Sequence, residues 1–161
     1  MTPNHKSFLL TELPALLRTL PADRNPNFGL MTAQHMVEHL TYVTKAMVKR
    51  RGEPSGELNK SQRYFRKFID NGAPFEYRPR PNVTKDSLQP LRSANLEEAI
   101  VGLEKATADF YDLFASKPDH KSYSEMMGEF NLAELELFHY QHGRWHAFQF
   151  SLISEFSPFS V

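Results

Sequence analysis

The segment His142-Gly143-Arg144-Trp145-His146-Ala147-Phe148-Gln149 sets two imidazoles four residues apart, on what reads as the last long helix. Residues i and i+4 of a helix share a face. Two neutral imidazoles on adjacent turns can bind one transition-metal ion. With a turn of about 100° per residue, Leu135, Phe138, His142, Trp145, His146, Gln149 and Ile153 fall in one apolar half of that helix. Three polar side chains therefore stand inside a stripe that should face an interior. Burying polar groups without partners costs free energy, so the fold must supply something that satisfies them.

Working outward, three more long or short helical patterns and one long irregular stretch complete the chain. The first helix is expected from about Lys6 to Leu20, with Pro14 as a point of shortening or kinking and Pro21 as its end. The second starts at Thr32, a good N-cap. It carries Met36, Leu40, Val43 and Met47 on its inner stripe and runs out in Lys49-Arg50-Arg51-Gly52. Residues 53 to 94 hold seven of the breakers, among them Pro54, Gly72, Pro79 and Pro90. They read as a crossover with one short helix from about Ser61 to Ile69; long loops of this kind are often functional. The third long helix spans about Asn95 to Ala115, and the fourth about Asn131 to Glu155, with no strand evident. Short connections within each pair of helices and a long one between helices two and three predict an all-α, four-helix bundle with a crossover. Residues 1–161 read as a single domain, the natural size for one core.

Composition narrows the function. Lys plus Arg and Asp plus Glu are 19 each, so the formal net charge is zero, which argues against a dedicated nucleic-acid binder. There is no cysteine, so any metal must be held by nitrogen and oxygen. The start, Met1-Thr-Pro-Asn-His-Lys6, carries no signal-peptide run, and no stretch approaches the roughly 20 apolar residues that span a bilayer. A cytoplasmic protein without a membrane partner is expected. The tail Phe156-Ser-Pro-Phe-Ser-Val161 is apolar enough to pack on a neighbouring subunit.

A second pair, His35-Met-Val-Glu-His39, lies on helix two. Projected on the helix, His39 stands about 60° from the inner stripe and His35 about 100° away. His39 can turn inward, and with His142 and His146 it makes a three-nitrogen site. Three protein ligands leave one coordination position open, as catalytic sites do; a fourth ligand requires His35 to reach in. Gln149, one turn past His146, can take the second ring N–H of a ligating imidazole. Its other reading is a buried amide bonded across the bundle. Arg144 reads as a surface ion pair, and His139 as packing or support beside the site. A di-iron bundle needs Glu-x-x-His on two helices, and only Glu136-Leu-Phe-His139 fits. Phosphate-loop, dinucleotide and serine-nucleophile motifs are absent. The basic residues Lys45, Lys49, Arg50, Arg51, Lys60, Arg63, Arg66 and Lys67 could attract an anion, but read first as a solvated helix end.

The run Met31-Thr-Ala-Gln-His-Met-Val-Glu-His-Leu40 resembles the start of the second helix in the DinB/YfiT-like superfamily, which carries a metal-binding His followed by Leu. The run from Gly128 to Gln149 resembles that family's final helix, with its recurring His-x-Arg-x-His-x-x-Gln. His142, Arg144, His146 and Gln149 match that pattern in order. The family's Phe before the Gly of this run is Met127 here. The resemblance implies that His39, His142 and His146 are metal ligands, with Gln149 beside them; His35 is extra to the family's pattern and reads as solvated or as standing beside the metal or substrate. Zn or Ni is the expected ion, with Fe or Mn also compatible with imidazole ligation. The implied activity is a thiol-dependent S-transferase using a low-molecular-weight thiol, or a hydrolase using metal-activated water, acting on a small molecule as a homodimer. The alternative is a non-catalytic bundle tightened by its ion. No catalytic base is assigned, though Glu38 and Tyr42 stand near enough to be considered. A catalytic site predicts a cleft lined by crossover residues such as Tyr64, Phe65 or Phe75.

Overall fold

The computed structural model describes residues 4–156. It is mostly helical, with a small antiparallel hairpin. Helix α1 covers residues 5–18 as three continuous pieces: α-helical His5–Ser7, a π turn Phe8–Glu12, and α-helical Leu13–Arg18. The π turn closes on Leu13 N–H to Phe8 O. It lies directly before Pro14, whose ring excludes the ordinary bond to the carbonyl four residues back. A widened turn, rather than a break, is how this helix accommodates its proline. It ends at Arg18, short of the expected Leu20.

Helix α2, Ala33–Met47, begins at Thr32, whose side chain accepts the His35 N–H. It stops before the basic run expected to close it. Lys49 and Arg51 leave the helix to exchange backbone bonds with Tyr123, at 3.1 and 2.8 Å. Helix α3, Lys60–Asp70, is opened by a reciprocal capping box between Asn59 and Gln62. Helix α4, Leu96–Ser116, is capped by Asn95. Strands β1, Ser122–Ser124, and β2, Gly128–Phe130, pair in antiparallel register, Ser122 opposite Phe130. No strand is expected there from the sequence. Helix α5, Leu132–Gln149, starts from Asn131 in a capping box with Glu134. It ends six residues before the expected Glu155, with Ser151 in the left-handed region at φ 58°. Ile153 therefore lies beyond the helical stripe assigned to it.

Two buried clusters hold these elements. One joins α1, α2 and α4 through Leu13, Leu17, Met36, Val37, Ile100 and Leu103. The other joins Phe68 of α3 with Phe110 and Phe114 of α4 and Leu135 and Phe138 of α5. Helix α5 is not amphipathic: Tyr140, Gln141, Gly143 and Ala147 are buried as well as the histidine face. The cause is α1, which lies so close that a Cβ on Gly143 would stand 2.9 Å from Leu13 Cδ2 and 3.4 Å from Phe8 Cε1. Glycine at 143 gives up some helix propensity in exchange for that approach. Of the apolar tail, only Phe156 is described, its ring 5.3 Å from that of Trp145. Residues 1–3 and 157–161, and the expectations that fall on them, lie outside the described residues. Among the described residues, no helix is long and apolar enough to cross a membrane.

Candidate metal centre

Helices α2 and α5 meet at His39, His142 and His146. His142 Nε2 lies 3.1 Å from His39 Nε2 and 3.0 Å from His146 Nε2. The three rings offer one nitrogen each within 4.8 Å of one another. Metal–nitrogen bonds of about 2.0–2.1 Å at tetrahedral or slightly smaller angles put ligand nitrogens roughly 2.9–3.4 Å apart. The two measured separations fall in that range. Hydrogen bonding alone serves the cluster poorly. One Nε2 offers either a single N–H or a single lone pair, so His142 cannot make two good bonds to two imidazoles. A shared cation takes all three lone pairs at once. The donor set therefore fits a divalent transition metal.

Electrostatics keeps the nitrogens ready. Burial pushes the His142 imidazole well below its ordinary range, and neighbouring His146, His39 and His139 push it further. Burial lowers His146 to about 3, with His39 adding to the shift and Gln149 opposing it. Burial lowers His39 as well. Neutral imidazole is the form that binds metal. Around the triad the wall is aromatic: Phe75 stacks on His142 at 5.6 Å, and Phe138 stands 5.6 Å from the same ring.

Gln149 supplies the outer contact. His146 Nδ1 donates to Gln149 Oε1 at 2.7 Å, which fixes the tautomer and leaves Nε2 facing the triad. The amide nitrogen of Gln149 donates to Phe28 O at 2.8 Å. Both readings of this residue thus apply: it orients a histidine and ties a distant segment. We expect Gln149→Leu to weaken metal binding by about 10–100-fold, read by competition titration against a chromogenic chelator. Unchanged affinity would remove Gln149 from the site.

His35 stands apart from the triad. Its Nε2 donates to Gln89 O at 3.0 Å, and its Nδ1 takes a hydrogen bond from Thr32 Oγ1 at 2.7 Å. Both ring nitrogens are thus engaged, Nε2 pinning the crossover to α2 and Nδ1 bonding the helix's own N-cap. Arg144 lies over the Tyr140 ring, 5.6 Å from its centre. His139 is buried between Phe110 and Phe138, and its Nε2 has no hydrogen-bond partner among the described residues.

A cavity of about 1010 Å³ runs along α2 and reaches the triad at His39. Its crossover wall is not the expected one. Tyr64, Phe65 and Phe75 gather with Phe68 and Phe138 in an aromatic cluster, because large rings gain more from mutual burial than from lining a wet cleft. Residues 80, 87–90, 92 and 93 line the cavity instead. Glu38 is on this wall. Burial raises its pKa, but hydrogen bonds from the Ser93 and Arg92 N–H groups outweigh that and lower it below the ordinary carboxylate value. A carboxylate so held is a poor general base. Tyr42, also on the wall, is 62% exposed. No family model, curated protein or solved structure matches this chain.

Proposed function

We propose that His39, His142 and His146 hold one divalent transition metal, Zn or Ni before Fe or Mn, and that the protein is a metal-dependent enzyme acting on a small molecule. The observation that carries this reading is the convergence of three neutral ε-nitrogens from two helices beside a cavity. When bound, such an ion supplies Lewis acidity, which makes a thiol or water more acidic at neutral pH. A thiol-dependent S-transfer is the preferred reaction, and hydrolysis the second. The fold belongs to the same proposal: a DinB-like four-helix bundle of α1, α2, α4 and α5, with α3 carried on the crossover, assembling as a homodimer.

The chain's own residues have definite parts in this reading. His146, steered by Gln149, and His142, clamped between Phe75 and Phe138, present fixed lone pairs. Burial keeps protons off them. The cavity admits substrate at His39, the least buried of the three rings. That cavity favours an enzyme over a site that only tightens packing, which would have no use for an approach path. The test is a thiol-transfer screen against small electrophiles, with and without chelator, on protein of measured metal content. Turnover that is lost with chelator and restored by Zn or Ni is expected. Turnover indifferent to chelator would overturn the reading.

A further inference from the structure

The chain is neutral overall, yet the cavity along α2 has a lopsided wall. Lys45, Lys49, Arg51, Arg80 and Arg92 all line it. Among the described residues none of these five side chains has an acidic partner. Three arginines elsewhere are each answered by two carboxylates. Arg18 pairs with Glu97 and Glu104, Arg50 with Glu53 and Glu129, and Arg66 with Asp70 and Glu134. The basic patch legible in the sequence thus splits. Arg50 and Arg66 are structural, and Lys67 sits over the Tyr64 ring at 4.4 Å. Arg63 donates to Leu58 O and Lys60 is exposed at the start of α3, both outside this wall. Lys45, Lys49 and Arg51 remain and are joined in the cavity wall by two arginines from the crossover.

The cavity contains one carboxylate, and it is already used. Glu38 accepts the Arg92 N–H at 2.9 Å and the Ser93 N–H at 2.9 Å, and its Oε1 also takes Gln34 Nε2 at 3.1 Å. Its charge is spent on holding the crossover against α2. His35 does the same work from the next turn through Gln89 O. The two contacts fix the crossover segment that carries Arg92 and Gln89. Cations gathered without counter-charges repel one another, and their field is focused inside a concave wall. Such an arrangement is stabilised by an anionic occupant.

Position along α2 says how that occupant lies. His39, Tyr42 and Lys45 follow one another at helical spacing on the cavity face, and Lys49 lies just past the helix end on the same wall. At 1.5 Å per residue, the backbone of Lys45 is about 9 Å from that of His39 along the axis. A small molecule can bridge that span, with acidic groups at the lysine and arginine end and a reactive group at His39.

We infer that this cavity binds a small organic anion bearing at least two acidic groups, carboxylate or phosphate, with its uncharged end directed at His39. The second clause rests on the proposed metal site; the first does not. The anionic groups meet Arg80 and Arg92 from the crossover and Lys45 from α2.

The probe is pyrenetetrasulfonate, whose fluorescence anisotropy rises when it is immobilised, added to chelator-treated and to metal-loaded protein. Saturable binding is expected in both, weakening as salt screens the wall. The double variant Arg80→Gln, Arg92→Gln should lose about tenfold for each cation removed, while its helical circular dichroism and metal content stay as in the parent. Lys121→Gln, in the loop before β1 and paired with Glu129 outside the cavity wall, should leave probe binding unchanged. Competition separates the two chemistries: tricarballylate displaces the probe if the wall is built for carboxylates, pyrophosphate if it is built for phosphates. Protein that holds its metal but shows no saturable probe binding would overturn this inference and leave the metal site standing. Probe binding without metal uptake would do the reverse. Displacement by an RNA oligonucleotide but by neither small anion would also overturn it.

Discussion

His142→Ala is expected to lower metal affinity by more than about 100-fold, the upper end of what loss of an outer contact costs. Among the triad His142 is the central ring: its Nε2 is the nitrogen within hydrogen-bond distance of both others. Removing it leaves two imidazoles, His39 and His146, on different helices with their ring centres 5.1 Å apart. Two imidazoles retain some affinity for divalent ions, so residual weak binding is part of the expected result. Stability should move as well. A buried ring wedged between Phe75 and Phe138 leaves a cavity when truncated, and large-to-small changes in such places cost about 2–5 kcal/mol. His142→Gln separates the two effects, since it fills more of the space without restoring an imidazole. Parent-like metal content in either variant, measured by elemental analysis of purified protein, would end the three-histidine assignment.

The second expectation concerns acid. Metal-free protein should lose stability steeply as pH falls from about 6.5 to 4, with His139 a large contributor. This ring is outside the triad, fully enclosed by Phe110 and Phe138, and burial lowers its pKa from 6.5 to about 4. Between those two values the unfolded chain binds a proton that the folded chain refuses. The unfolded state therefore holds more protons in this window, and stability rises with pH and falls as pH drops. At pH 4 the loss from this one group is roughly 3 kcal/mol, a large part of the roughly 5–15 kcal/mol that holds a domain together. His139→Leu should flatten this slope in urea titrations at pH 6.5, 5.5 and 4.5. An equal slope in variant and parent would show that His139 is not the acid-sensitive group. Metal-loaded protein should resist further, because protons must then also compete with the ion.

The triad was legible because chemistry and geometry are both local there. His142 and His146 sit one turn apart, and the N-cap Thr32 sets the register that points His39 inward. The ends of helices were less legible. Helix α2 stops at Met47 because Lys49 and Arg51 pair with Tyr123, a partner far along the chain. Helix α5 stops at Gln149 with neither Gly nor Pro to mark it; Ser151 turns there and joins Asn27 by a side-chain hydrogen bond at 2.8 Å. The hairpin gave no signal either. Ser122–Ser124 and Gly128–Phe130 are too short for alternation to show, and their pairing is completed by that bridge to residues 49–51. Two of the five wall cations lay hidden for a like reason. Lys45, Lys49 and Arg51 lie at the end of α2 and just past it, but Arg80 and Arg92 reach the cavity because Glu38 and His35 fasten the crossover against α2.

The stretch before α2 is not a passive tether. Asn27 N–H donates to Gln149 O at 2.8 Å, Phe28 O accepts from the Gln149 amide, and Gly29, at φ 85°, passes so near that a Cβ would stand 2.9 Å from Gln149 Nε2. The orientation of His146 is thereby wedded to how this early loop lies down. Such linkage is reciprocal: an ion that stiffens the imidazole also quiets the loop, and a loop that is docked prepares the imidazole for its ion. Loading the centre and shielding residues 27–29 from proteases then become one event seen from two sides.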